Sequence, residues 1–447
     1  MAIVHLLHLL RYLNGLKNRH MTETKYLLKS PVSGAIFEDT GWLLDAPGES
    51  QPALIRAIYE DREFKVGDLS LGLYKFACWL PIKRMLQGSS APVNFMSEAL
   101  AGYLGLKKLV ITFSGYWPER GAAMSTCSFK ETEAYSVCAR LDSAQGKVLV
   151  VASAGNTARA FARVCSDNNI PLLLSVPEDN LDALWFDRTL NDCVKLIASR
   201  SGCDYFDAIH LANLVCSIDG FIAEGGAKNV ARRDGMGTTV LSAVEFCKVI
   251  PDYYFQAVGS GTGAIAAWEA NLRFLEDGRY GNHKMKLMVS QNAPFLPIYE
   301  AWNASSRSML PYDDMLARTH VEEIDAKVLS NRKPPYPPVG GLFDALNDTE
   351  GEVIPVNNEE ARKAAELFEK LEGIDIHPAA AVAVASLIES CKTGAVNKEK
   401  LVMLNITGGG EQRFKGEKAL IYLKPSLIFG INPDLEEVRG KLASLKW

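Results

Sequence analysis

"GKVLVVASAGNTARAFARVCSDNNIPLLLSVP", residues 146–177, is the stretch that decides the fold. Its first part, "GKVLVVAS" (146–153), is apolar and β-branched and reads as a strand. A short loop of small residues follows, then the helical stretch "TARAFARVCSDNN", then a second apolar strand, "IPLLLSVP". Strands that are apolar throughout, rather than alternating, are covered on both faces, as in a parallel sheet wrapped by helices.

The same alternation continues outward. "KKLVITFSG" (107–115) reads as a strand and "FKETEAYSVCARLDSA" after it as a helix. "VKLIAS" (194–199), "YYFQAV" (253–258) and "KMKLMVS" (284–290) are further strands. "PAAAVAVASLIESCKTG" (378–394) is an alanine-rich buried helix with proline at its start, and "KLVMLNITGGG" (400–410) is a strand running into glycines. The proline-rich "NRKPPYPPVGG" (331–341) is a loop. The expected class is α/β with mostly parallel sheets.

Composition bounds the function. The chain has 447 residues, 48% hydrophobic and 23% charged, enough for two or three ordinary globular domains. A net charge of -5 with scattered basic residues gives no footprint for nucleic acid or an anionic membrane. The nine cysteines are dispersed, with no Cys-x-x-Cys pair and no zinc spacing among the seven histidines. They read as reduced thiols of a cytoplasmic protein. No apolar run reaches the roughly 20 residues of a membrane span. "MAIVHLLHLLRYLNGLKNRHM" (1–21) lacks a basic leader region and a small-residue cleavage site. Residues 1–20 are expected to be a dispensable extension ahead of Met21.

Lys130 lies in "STCSFKETEA" (125–134), directly behind Phe129 and where helix-forming residues begin. Most lysines are solvated surface charges. A Schiff-base lysine instead needs a partly desolvated pocket, which lowers the ammonium pKa and frees the lone pair. The choice between the two rests on the other binding groups, and three loops supply candidates.

"AVGSGTGAIAAWEA" (257–270) ends a strand and opens a helix through Gly259, Ser260, Gly261, Thr262 and Gly263. Such a loop aims several N–H groups and a helix N-terminus at one spot, which suits a phosphate monoester. It is otherwise a tight turn, or a dinucleotide site. The dinucleotide reading needs a carboxylate closing the next strand, and that strand ends in Ser290-Gln291-Asn292. "SAGNTARA" (153–160) places Ser153, Ala154, Gly155, Asn156 and Thr157 at a helix N-terminus. These residues cap the helix, or wrap a substrate carboxylate while Asn156 donates to a phenolate-type oxygen. In "NITGGG" (405–410), Thr407 is a plain strand end or a hydroxyl for a ring nitrogen. One ligand uses all four groups: pyridoxal 5'-phosphate. Its aldehyde meets Lys130, its phosphate the 259–263 loop, its ring oxygen Asn156 and its ring nitrogen Thr407.

On "SFK", "SAGNTARA", "GSGTG" and "NITGGG" the chain resembles the fold type II, or tryptophan-synthase-β-like, pyridoxal phosphate enzymes. The resemblance covers roughly residues 50–430 and is nearest to the threonine synthase family. "GYWPERGAAMSTCSFKETEA" (115–134) and "GIDIHPAAAVAVASL" (373–387) are most similar to its branch of cysteate synthases from methanogenic archaea. Threonine synthases usually follow the lysine with Asp-Arg-Gly, where this chain has Glu131-Thr132-Glu133, and carry Glu-Pro where it has His377-Pro378.

The resemblance implies two α/β domains: a large cofactor-binding one (46–140 and 246–447) and a small one (141–245). Residues 1–45 would be the extension plus a degenerate ribbon, in which "YLLKSPVSGAIFED" (26–39) has Ser30 and Ser33 in place of the cysteines that relatives often carry there; no zinc is expected. It also implies β-replacement of O-phospho-L-serine by sulfite, giving L-cysteate and phosphate on the way to coenzyme M. A homo-oligomer, a dimer, is the expected assembly. The alternatives are a threonine synthase, a phosphoserine-dependent cysteine synthase, or a catalytically silent cofactor-binding regulator. Lys130 would serve as the base at the substrate Cα. Arg120, Arg232 and Arg233, with Ser125 and Thr126, are candidates for the leaving phosphate and sulfite. Each arginine reads equally as half of an ion pair.

Overall fold

A computed structural model of the chain describes residues 23–142, 146–153, 155–203, 205–445 and 447. The extension 1–20 and Ala154 of the "SAGNTARA" loop lie outside the described residues.

The first strands, β1 (Tyr26–Lys29), β2 (Ile36–Phe37) and β3 (Arg56–Tyr59), make an antiparallel three-stranded sheet in the order β2-β1-β3. This is the ribbon stretch. Ser30 closes its turn with its own hydroxyl, which accepts from the Val32 and Ser33 N–H groups at 3.2 and 3.3 Å. Among the described residues, no group of three or more His, Cys, Asp or Glu is placed to hold a metal ion.

Next come β4 (Val93–Met96), β5 (Lys108–Phe113), α1 (Lys130–Arg140), β6 (Val148–Ala152), α2 (Asn156–Asp167), β7 (Leu172–Pro177) and β8 (Val194–Ser199). They are followed by α3 (Tyr205–Cys216), β9 (Phe221–Ala223), α4 (Val230–Cys247), β10 (Tyr253–Ala257), α5 (Thr262–Asp277) and β11 (Lys286–Asn292). The chain continues through β12 (Glu352–Val356), α6 (Asn358–Glu372), α7 (Pro378–Thr393), β13 (Leu401–Ile406) and β14 (Leu427–Phe429).

Two sheets result. The six-stranded one runs β12-β11-β10-β13-β5-β4, parallel except for β4. The five-stranded one runs β9-β6-β7-β8-β14 and is parallel throughout. The continuous apolar runs have their cause here. Val402, Leu404 and Ile406 of β13 pack with α6 and α7 on one face, while Leu401 and Met403 pack with α4 and α5 on the other. With both faces covered, no position of β13 is left exposed.

Two segments sort differently from the division drawn from the sequence. Leu427–Phe429, placed there with the large domain, pairs in parallel with β8 and completes the small sheet. Helix α4, placed with the small domain, packs between α1 and α5 over the large sheet. Its glycines allow that approach. A Cβ at Gly235 would lie 2.6 Å from the Thr132 carbonyl oxygen, and one at Gly237 would lie 3.2 Å from that of Ala266. No helix among the described residues is long and apolar enough to cross a membrane.

Leu404 is fully buried on the central strand. Leu404→Ala is expected to lower the unfolding free energy by about 2–5 kcal/mol. In urea titrations this reads as a lower midpoint at unchanged slope.

Candidate active site

Adjacent strands β10, β13 and β5 deliver the site at their C-terminal ends, where parallel α/β sheets bind ligands. From β10 the chain enters the 259–263 turn. Gly261 stands at φ +77° as the N-cap of α5, whose first N–H groups lack an intrahelical partner; that of Thr262 donates to Ser260 Oγ at 3.3 Å. A Cβ at Gly259 would lie 2.8 Å from Leu329 Cα, and one at Gly261 2.6 Å from Leu342 Cδ2. The Ser260 and Thr262 hydroxyls stand 2.9 Å apart at the same helix end.

Lys130 opens α1, and the turn before it is tied to the exit of β13. Phe129 N–H donates to the Thr407 carbonyl at 2.9 Å, and Gly409 N–H to the Cys127 carbonyl at 3.1 Å. His377 N–H donates to the Gly408 carbonyl at 3.0 Å. These bonds make the lysine, Thr407 and His377 parts of one rigid wall. One cavity is lined by Lys130, Asn156, the 259–263 turn and Thr407 together, with Ser128 and His377 beside them. Burial holds the Lys130 ammonium below its ordinary range; the nearby Arg232 charge adds to this and Glu133 opposes it. Its Nζ lies 3.2 Å from Glu133 Oε2.

The second loop divides its labour. Ser153 Oγ accepts from the Gly155 and Ala158 N–H groups at 3.1 and 3.0 Å, so its hydroxyl is engaged in starting α2. Thr157 is half-buried and does not line the cavity. Asn156 does, and its Oδ1 accepts from Arg159 Nη2 at 2.9 Å, which leaves the NH2 half of the amide for the cavity.

The anion candidates separate. Arg120 is exposed and stacks on Phe95 and Trp117, with its guanidinium carbon 3.8 and 4.6 Å from the ring centres. Arg233 is fully buried, pairs with Glu269 at 2.9 Å and donates to the Ala227 and Ile55 carbonyls. Arg232 sits nearer, between Glu133 Oε1 at 3.1 Å and Glu224 Oε1 at 2.9 Å. None of the three lines the cavity. Thr126 gives both its N–H and its hydroxyl to Glu131, at 3.0 and 2.9 Å, and Ser125 is half-buried outside the cavity lining.

Several site groups escaped sequence reading. His377 Nε2 stands 2.8 Å from Glu411 Oε2, and Arg159 reaches the same oxygen at 3.3 Å. Burial opposes ionisation of Glu411, yet the His377 bond and the Arg159 charge outweigh it and hold the carboxyl well below the usual range. Ser128, Glu133, Glu224 and Gln256 were likewise unmarked. For His377 a signal existed, a titratable residue directly before a helix-opening proline. The carboxylates had none, since glutamates on a helix usually face water.

The residues fit pyridoxal phosphate. They offer a partly buried amine for the aldehyde, a glycine-lined helix end with two hydroxyls for the phosphate, an amide for the ring oxygen and a hydroxyl for the ring nitrogen. Ser128 Oγ, buried in the cavity wall, has no partner among the described residues, so a polar ligand has a group to satisfy there.

Fold and site define a pyridoxal-phosphate-dependent enzyme of fold type II. The family model described as "Pyridoxal-phosphate dependent enzyme" matches residues 116–408. Solved structures share the fold: maize serine racemase has a TM-score of 0.55 at 16% identity, covering 71% of this chain and 88% of that one. The processed form of threonine deaminase isoform 2 from Solanum lycopersicum has a TM-score of 0.51 at 17% identity, covering 79% and 88%. Much more similar in sequence is a cysteate synthase of Methanosarcina acetivorans, 46% identical over 394 residues, 88% of this chain and 94% of the relative. One from Methanocella paludicola is 48% identical over 393 residues, 87% and 92%. The chain belongs to the cysteate synthase family of pyridoxal-phosphate-dependent enzymes.

The buried Glu131 beside this wall generates a pH test. Burial pushes its carboxyl up to about 7, against the two Thr126 hydrogen bonds, so the fold favours the protonated form. Its stabilising contribution is complete below the unfolded value, about 4.3, and is lost as pH rises through about 7. Glu131→Gln removes the titration. The melting temperature of the unaltered protein is expected to fall relative to the variant across that window and to run parallel to it above.

Proposed function

We propose that the protein catalyses β-replacement on O-phospho-L-serine with sulfite, releasing L-cysteate and inorganic phosphate. One observation carries this reading: a partly buried lysine amine shares a cavity with a glycine-lined helix end, in a chain whose curated relatives are named cysteate synthases. Bound pyridoxal phosphate supplies the electron sink beside the substrate Cα.

The chain's own residues supply the rest. Backbone N–H groups of 259–263, with the Ser260 and Thr262 hydroxyls, would hold the cofactor phosphate at the α5 N-terminus. The Asn156 amide would donate to the ring oxygen. The Thr407 hydroxyl would serve the ring nitrogen without charging it, which would favour bond changes at Cβ over transamination. Lys130 would be the amine that holds the cofactor aldehyde between turnovers. Once freed, its Nζ takes the Cα proton, and burial, which holds the ammonium pKa below its ordinary value, favours the neutral amine that this step needs. The Cβ–O bond breaks and phosphate leaves with the bonding pair. Sulfite sulfur then bonds Cβ with its lone pair, and Lys130 returns the proton to Cα. The α2 N-terminus, opened by Gly155 and Asn156 and capped by the Ser153 hydroxyl, is the candidate subsite for the substrate carboxylate. Arg232 is the candidate counter-charge for the departing phosphate, through a change of partner from Glu133 or Glu224.

The reading extends to a cytoplasmic homodimer in a route toward coenzyme M; that none of the nine cysteines forms a disulfide agrees with a reducing compartment.

Incubation with O-phospho-L-serine and either sulfite or sulfide, with products resolved by mass spectrometry, is the test. Cysteate is expected to dominate; cysteine as the main product would sink the choice of nucleophile. Lys130→Ala is expected to lose the visible cofactor absorbance and at least about a thousandfold in turnover, as for removal of a covalent catalytic group. Hydroxylamine treatment should strip the unaltered enzyme of activity, and added pyridoxal phosphate should restore it.

A further inference from the structure

Glu133 stands one turn past Lys130 on α1, a spacing at which a lysine and a glutamate usually form a solvated surface pair worth a few tenths of a kcal/mol. Here the Glu133 side chain has no exposure at all. An ionised carboxylate so buried must be compensated, and each of its oxygens has its own cation. Oε2 takes Lys130 Nζ at 3.2 Å and Oε1 takes Arg232 Nη2 at 3.1 Å. Arg232, brought in by α4, turns its Nε to Glu224 Oε1 at 2.9 Å. Burial pushes the Glu224 carboxyl up, against the Arg232 charge. From α3, the half-buried Tyr205 phenol lies within electrostatic reach of Arg232, Glu224 and Glu133.

With both carboxylates ionised, the charges of this cluster balance only while the lysine is protonated. Two cations and two carboxylates sum to zero; a neutral amine leaves one uncompensated negative charge in buried surroundings. The arrangement thus rewards Lys130 for holding a proton between taking it and giving it back. Arg232 alone would neutralise Glu133, so a purely structural pair has no need of the second oxygen turned toward the amine.

We propose that Glu133 is a positioning residue for Lys130: its carboxylate, shared with Arg232, seats the free amine against the cavity wall and stabilises it while it carries the substrate's Cα proton. This rests on the acid–base role given to Lys130 above.

The test uses the full chain stripped of cofactor by hydroxylamine. Trace acetylation with acetic anhydride across a pH series, read by peptide mass mapping, reports the titration of the Lys130 amine with no turnover involved. In Glu133→Gln the apparent pKa of Lys130 is expected to fall by about one unit or more, the size of effect an adjacent opposite charge exerts. Circular dichroism and the melting temperature establish that the variant is folded. Glu224→Gln, which leaves Arg232 to lean on Glu133 alone, should move Lys130 the same way by less, and it serves if the first variant does not fold. An unshifted Lys130 in a folded Glu133→Gln protein, or in Glu224→Gln where only that variant folds, overturns the proposal while leaving the assignment of Lys130 intact. Separately, borohydride reduction of the unaltered protein with pyridoxal phosphate should tag Lys130. If the tag lands on another lysine, the reading of Lys130 fails and this proposal with it.

Discussion

The site depends on a backbone seam between two distant pieces of chain. The turn before Lys130 and the exit of β13 exchange hydrogen bonds from Phe129 to Thr407 and from Gly409 to Cys127, and His377 joins from a third segment. Space makes the seam possible. A Cβ at Gly408 would lie 2.3 Å from His377 Nδ1 and one at Gly410 only 1.8 Å from the Tyr116 carbonyl oxygen. The glycine run therefore exists for close approach of backbones, and the placement of the amine opposite Thr407 follows from it.

Two clusters of paired charge, buried or partly buried except at Lys415, flank that seam. On one side Lys130, Glu133, Arg232 and Glu224 balance one another. On the other, Glu411 gathers His377, Arg159 and Lys415. Buried pairs of this kind contribute little net stability compared with apolar packing. Their effect is on protonation and orientation: the first acts on the amine and the second, through Arg159, on the Asn156 amide. Arginines that the sequence offers as anion ligands are mostly engaged in such pairs, so the residue type alone does not show which of them faces a substrate.

The elements were largely legible from residue order. "VKLIAS" is β8 residue for residue, and the runs read as strands at 107–115, 146–153 and 284–290 contain β5, β6 and most of β11. Continuous apolar stretches report burial on both faces, and that is a local property. Partnership is not local. Nothing in "SLIFG" says that Leu427–Phe429 will extend the small sheet beside β8, and the weak amphipathicity of α4 hides which sheet it covers. Of the candidate cofactor groups, Lys130, Asn156, the 259–263 turn and Thr407 line one cavity, because each closes or follows a parallel strand and such ends converge. Ser153, Thr126 and Arg233 instead serve the backbone or a buried carboxylate: the first two through partners within five residues, Arg233 through Glu269 and the distant Ile55 carbonyl.

By itself, residue order determined the α/β alternation, the chemistry of each loop and the one ligand able to use all of them, since strand burial, glycine turns and helix ends are written in short windows. Only the tertiary structure decided that Glu133 is buried against the reactive amine, that Arg120 and Arg233 stay outside the cavity, and that His377 stands beside Thr407. Those outcomes depend on contacts between segments tens of residues or more apart, such as Arg232 with Glu133, Arg233 with Glu269 and His377 with Gly408, where the electrostatic environment of a side chain belongs to the packing rather than to its neighbours in sequence.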